Sequence, residues 1–194
     1  MAQNLSTLSS LVGSDDWRQR ARTALSWLRE KYVRLRNYKI TPENILREGT
    51  RANFPLAGRM YFYSYDPKTK SKLKHYDTFP LVIPIEKYSA TKFLGINFHY
   101  LPYSLRTQLM NNVMEQVNIE EEKFELQYSD IKGANRFRTA IPCIHRYDLN
   151  NVRSNIILIN PDEWATAIYL PVEQFRKQNK SAVWRNSREI IGRL

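Results

Sequence analysis

The sequence predicts an α+β protein: a small, strongly bent β-barrel of about five strands, with a helical insertion and an N-terminal amphipathic helix. Short runs at 59–65, 79–85, 93–101, 154–160 and 164–170 have strand periodicity or strand composition. A long polar connection, 66–77, separates the first two, and the strand order that results is that of an SH3-like barrel closed by a final hairpin. Apolar residues at helical spacing fill 17–35 and 105–117. An α+β domain with an open sheet is the alternative.

Residues 1–13 are small and polar and read as a mobile arm. Ser14, followed by Asp15 and Asp16, is a helix start: a hydroxyl cap with acids in the first turn. From there Trp17, Ala21, Ala24, Leu28, Tyr32 and Leu35 form one apolar stripe, with Arg18, Arg20, Arg22, Arg29, Arg34 and Arg36 on the other faces. Such a helix either packs on the body with a solvated basic side, or offers its stripe to a partner and its arginines to phosphate or acidic protein surface. Thr41-Pro42 caps a second short helix through about Leu46, and Gly49 ends it.

The run 59–65 alternates Met60, Phe62 and Ser64 with Tyr61, Tyr63 and Tyr65, the period of a pleated strand. The next, 79–85, contains Pro80 and Pro84; proline gives no N–H to a ladder, so an edge or a bend is expected. In 93–101, Gly95 marks a bulge or a close backbone approach. Pro102 then opens a helix carrying Leu105, Leu109, Val113 and Val117. An acidic connector, 120–125, leads to a weakly helical 128–137 interrupted by Gly133, and 139–147 reads as strand or turn. SNIILIN at 154–160 and WATAIYL at 164–170 read as a hairpin around Pro161-Asp162. The division expected is an arm with helices over 1–50, a barrel over 51–176 with its insertion at 102–150, and a basic tail over 177–194. Trp184, Ile190 and Ile191 are that tail's docking anchors, matching Trp17, Leu28 and Leu35 at the other end.

Composition narrows the function. The 194 residues carry a net charge of +11, with 12 tyrosines and 4 tryptophans. The excess is concentrated: 51–101 holds eight basic and three acidic residues, whereas 102–150 holds six and seven. That field favours a polyanion, nucleic acid before membrane. A lone cysteine, Cys143, precludes an internal disulfide and fits a reducing compartment. The chain lacks both an apolar run of spanning length and a start resembling a secretory signal.

Neither the spacing of His75, His99, His145 and Cys143 nor the six scattered glycines suits a metal or a phosphate loop, so no catalytic group, metal or cofactor is expected. Asp66 and Asp77 read as turn caps. The connection DPKTKSKLKHYD places Lys68, Lys70, Lys72 and Lys74 at alternate positions. An extended backbone would turn four ammonium groups to one side, toward phosphates. Tyr76, with Tyr61 and Tyr63, could stack on bases at a DNA end. Arg18, Arg22 and Arg29 are the further DNA-contact candidates.

The strings MYFYSYDPKTKSKL, YDTFPLVIPIEKY, FLGINFHYLPYSLRTQLM, PDEWATAIYLPVEQF and VWRNS resemble a family of small structural proteins of T4-like contractile-tailed phages, of the DNA end-protector or head-completion type. The resemblance covers about 58–117 and 154–187. It implies a non-enzymatic virion protein of the head-tail region, made in the host cytoplasm, that binds the end of the packaged genome and protects it from exonuclease. Its implied partners are other virion proteins (portal, neck, tail or baseplate) and double-stranded DNA ends, with no membrane. An architectural adaptor of neck, tail or baseplate, without a DNA role, suits the same strings.

Overall fold

A computed structural model describes residues 17–31, 41–118, 123–124 and 127–194. The side chains of Trp17, Arg18 and Leu28, the whole of Leu35, the arm, the Ser14 cap and most of the acidic connector lie outside the described part. Among the described residues, α1 (Trp17–Lys31) and α2 (Pro42–Glu48) come first. The Thr41 side chain accepts a hydrogen bond from the Asn44 N–H, and Gly49 caps the far end of α2, as the sequence predicts. The strands β1 (Arg51–Ala52), β2 (Met60–Phe62), β4 (Leu81–Lys87), β5 (Lys92–Asn97), β8 (Ile144–Asp148) and β9 (Ile156–Ile159) build one antiparallel sheet. Its order is β1-β9-β2-β4-β5-β8.

The fold is mixed helix and sheet, as expected, but the sheet is open and is not a closed barrel. The reason lies in 102–150, read from sequence as a helical insertion. It contains α3 (Tyr103–Met114), a short ladder of β6 (Val117–Asn118) with β7 (Lys123–Phe124), and α4 (Tyr128–Gly133). A 3₁₀ stretch then leads into β8, which pairs with β5 from Lys92↔Asp148 to Ile96↔Ile144 and extends the sheet. The segment 164–170 also departs from expectation. It forms α5 (Trp164–Ala167), not a closing strand. Asn160 and Glu163 exchange side-chain to backbone hydrogen bonds as a capping box, with Pro161 at the first turn. Those helix-start signals outweigh the β-rich composition behind them.

The period of two along β2 sorts side chains to opposite faces. Met60 and Phe62 join Leu81, Ile83, Ile96, Ile157 and Ile159 in the main core beneath the helices. Tyr61 and Tyr63 turn the other way, into a second cluster with Tyr65, Val82, Phe93 and Tyr147. Both clusters are buried, so Tyr61 and Tyr63, expected from the sequence to stack on bases, are interior: each is 1% exposed.

Strand β4 is central, not an edge. Pro84 is accommodated at a register shift between Pro84 and Glu86, and its free carbonyl accepts the N–H of Gly58, whose φ is 75°. Opposite Pro84 lies Gly95, where a Cβ would fall inside van der Waals contact of Val82 Cγ1. The predicted close approach is therefore real.

Both ends of the described chain pack on this body. Ala21 and Ala24 of α1 are buried, and Leu25 and Trp27 lie against the core. The Arg20 guanidinium donates to the Tyr169 hydroxyl and reaches Thr107 of α3. The residues read as a basic tail form α6 (Lys180–Arg193), with Val183 and Ser187 buried. Trp184 is half-buried inside the same chain: its ring meets Tyr103 edge-on, and its Nε1 donates to the His99 carbonyl at 2.8 Å. Ile191 also packs against the core.

Candidate functional site

The connection 66–77 is ordered by its surroundings. Asp66 pairs with Lys70 at 2.8 Å, at the start of a 3₁₀ turn, Lys70–Lys72. The backbone is thus curled, not extended, and the alternate lysines do not form one straight row. Lys68, Lys70, Lys72 and Lys74 are nonetheless all exposed. At its far end, β3 (Tyr76–Asp77) pairs with β10 (Phe175–Arg176), and Lys177, with φ 68°, donates from Nζ to the carbonyls of Ser71 and Leu73. The C-terminal segment therefore braces the lysine loop, a link across about a hundred residues that sequence reading missed.

Asp77, read from sequence as a turn cap, is a buried hub. Its Oδ1 accepts the N–H groups of Phe79 (3.0 Å) and Gln174 (3.4 Å). Its Oδ2 takes Asn97 Nδ2 (3.1 Å) and His99 Nδ1 (2.8 Å). A carboxylate has only acceptors, so His99 is the donor.

From His99 the network runs on. Arg106, fully buried, donates from Nε to Leu101 O and from a terminal nitrogen to Ile168 O, both at 2.8 Å. It lies 3.6 Å from the buried Glu173 carboxylate, which also meets Lys180 of α6 at 2.9 Å. Burial alone would raise the Glu173 pKa. Arg106, His99 and Lys180 together overcome it and hold the carboxyl down at about 2. Loop, sheet and last helix are thus joined by one buried polar chain.

Between the loop and the outer strands β5 and β8 opens a cleft of about 590 Å³. The loop side contributes Pro67, Lys68, Leu73, His75 and Tyr76; the strand side contributes Tyr88, Lys92, Arg146 and Asp148. Its floor is aromatic, with the Tyr100 and His145 rings 3.9 Å apart and His75 beside them at 5.6 Å from Tyr100. Burial, then the positive charge possible at His75, lowers the His145 pKa to about 4, so the ring is neutral at pH 7. Tyr88 is 46% exposed, with the Arg146 guanidinium 6.0 Å from its ring centroid.

Among the residues proposed from sequence, the structure brings Lys68 and Tyr76 to this cleft. Arg22 and Arg29 are exposed on α1, which supplies no lining residue to the cleft. Sequence reasoning missed Tyr88, Lys92 and Arg146. The one local signal was a cation within each strand, Lys92 in β5 and Arg146 in β8, and only the β5–β8 pairing brings them to one wall. Among the described residues no group of three or more His, Cys, Asp or Glu could hold a metal, and no helix is long and apolar enough to cross a membrane.

Fold and cleft together define a basic protein on an open α+β sheet, with rings and cations presented around a concavity. The family model of Phage T4 terminal DNA protecting protein matches residues 21–188, and the chain belongs to that family. Searches of curated proteins and of solved structures found no match.

Proposed function

We propose that this chain binds the ends of linear double-stranded DNA in the virion and shields them from exonuclease, acting by occupancy and not by catalysis. The family's description is terminal DNA protection. The observation that carries the reading to a surface is the cleft itself: aromatic walls and exposed cations, beside a lysine loop held in shape by its own Asp66–Lys70 pair and by the C-terminal segment 175–177. Phosphate contacts give affinity and orientation without sequence readout, which suits a protein that must accept a genome end as it comes. Lys68, Lys70, Lys72, Lys74 and Tyr76 form the primary contact set, with the exposed Arg22 and Arg29 of α1, and the sequence candidate Arg18, as a second one.

A virion location also calls for protein partners at the head-tail region. The candidates for those contacts are the sequence positions Trp17, Leu28 and Leu35, which lie outside the described side chains, and Ile190 with the exposed Arg185 and Arg188 of α6. Trp184 and Ile191 serve such contacts indirectly, by seating α6 on the core.

The test is a digestion assay. A processive exonuclease is added to linear duplex with and without the protein, and binding is compared with a closed circle of equal length at about 50 mM salt. Longer survival of the linear DNA and preferential binding to it are expected. Absence of binding to linear DNA at that salt overturns the proposal.

A further inference from the structure

We infer that the cleft beneath the lysine loop takes a single unpaired nucleotide from the terminus of a DNA strand, so that the protein recognises an end by capturing what only an end readily releases. This rests on the end-binding reading and adds a subsite to it. About 590 Å³ falls within the range of roughly 300–1,000 Å³ typical of small-molecule pockets. A duplex, whose major groove alone is about 12 Å across, cannot enter such a space. One nucleotide can.

Tyr76 on the loop wall and Tyr88 on the strand wall offer π-faces, and His75 adds a ring between the loop and the floor. Stacking on such rings is tolerant of sequence because every base has a π-face. Lys68 on one wall and Arg146 on the other bring positive charge from both sides to the backbone phosphate such a nucleotide carries, while Lys92 is offset by Asp148, 4.0 Å away on the same wall. An internal base must break pairing and two stacking contacts to enter. A terminal one breaks fewer, and an already unpaired terminal base breaks least. Selectivity for ends thus follows without any contact that reads sequence.

The experiment uses the full chain and short duplexes with three kinds of terminus: fully paired, carrying one mismatched terminal pair, and closed by a hairpin loop at both ends. The mismatched end is expected to bind about tenfold tighter than the paired end, and the capped duplex weakest. Tyr88→Ala, at an exposed position that leaves the core untouched, is expected to bring the mismatched and paired ends to within about twofold of each other.

Equal affinity for mismatched and paired ends in the natural chain overturns the inference, while the end-binding reading stands if both still exceed the capped duplex. Equal loss at all three termini in Tyr88→Ala removes stacking in the cleft as the source of selectivity and also overturns it. No binding to any uncapped duplex overturns the end-binding reading and the inference together.

Discussion

His99 and Asp77 face each other across 2.8 Å with both side chains withdrawn from solvent, 0% and 1% exposed. Asp77 ends the lysine loop, and the His99 carbonyl receives the indole of Trp184, so this pair ties the loop to the last helix. Removing the Asp77 carboxylate leaves the Phe79 and Gln174 N–H groups, the Asn97 amide and the His99 Nδ1–H without their acceptor. Asp77→Ala is therefore expected to cost about 3–5 kcal/mol, read as a fall in the denaturant midpoint at unchanged slope. A loss below about 1 kcal/mol would mean that water replaces the carboxylate and that the hub is not structural.

Gly95 and Val82 yield a coupled prediction. A methyl group at residue 95 collides with Val82, itself fully buried in β4. Gly95→Ala is expected to cost about 1–3 kcal/mol through overpacking, and Gly95→Val more. Val82→Ala opens the space, so the double variant should be more stable than the two separate losses imply. Strict additivity would remove the collision as the cause. Phe98→Ala, at a fully buried ring, should cost about 3–5 kcal/mol.

Changing Lys68, Lys70, Lys72 and Lys74 together to Gln should leave the melting temperature within a few degrees, because each side chain is exposed. If all four meet phosphate, the slope of log affinity against log salt falls by about 3–4. An unchanged slope would move the phosphate contacts to α1 or to Lys92 and Arg146.

Acid should weaken the fold in two windows. The folded His145 pKa, lowered to about 4 chiefly by burial, lies below its ordinary value of 6.5, so the unfolded chain binds the proton more tightly. Its contribution is fully present above pH 6.5 and is lost as pH falls from there through about 4. Burial, with the charge of Lys74, lowers His75 in the same direction. Glu173, held at about 2 against an ordinary 4.5, contributes above pH 4.5 and loses that contribution as pH falls toward 2. Denaturant midpoints measured from pH 7 to 4 should fall, and His145→Gln should flatten part of that fall. A level profile in the natural chain would count against a buried neutral His145.

Removing residues 177–194 tests whether the body stands without its last helix. The truncation exposes the core under Val183, strips Lys180 from the buried Glu173, and releases the lysine loop from Lys177. A lower melting temperature and faster proteolysis within 66–77 are expected. If the truncated chain melts with the natural one, α6 is an appendage available for docking elsewhere.

Local chemistry was legible in the sequence because its causes lie within a few residues. Thr41-Pro42 started a helix, Met60 to Tyr63 alternated across a sheet, Gly95 marked a close approach, and four lysines outside any apolar pattern were exposed. The quoted strings also sufficed for the family. What the tertiary structure decided depended on residues far apart in the chain. Strand β8 falls almost wholly within 139–147, which the sequence left as strand or turn, because the partner that makes it a strand, β5, lies about fifty residues earlier. That pairing adds an outer strand, so the sheet stays open and forms one wall of the cleft. Asp77 passed for a turn cap because Asn97, His99 and Gln174 reach it only in the fold. The apolar residues of the last helix suggested a partner because periodicity states that a face must be covered, not by what. In this protein the covering surface is its own core, and the segment leading into that helix braces the lysine loop through Lys177.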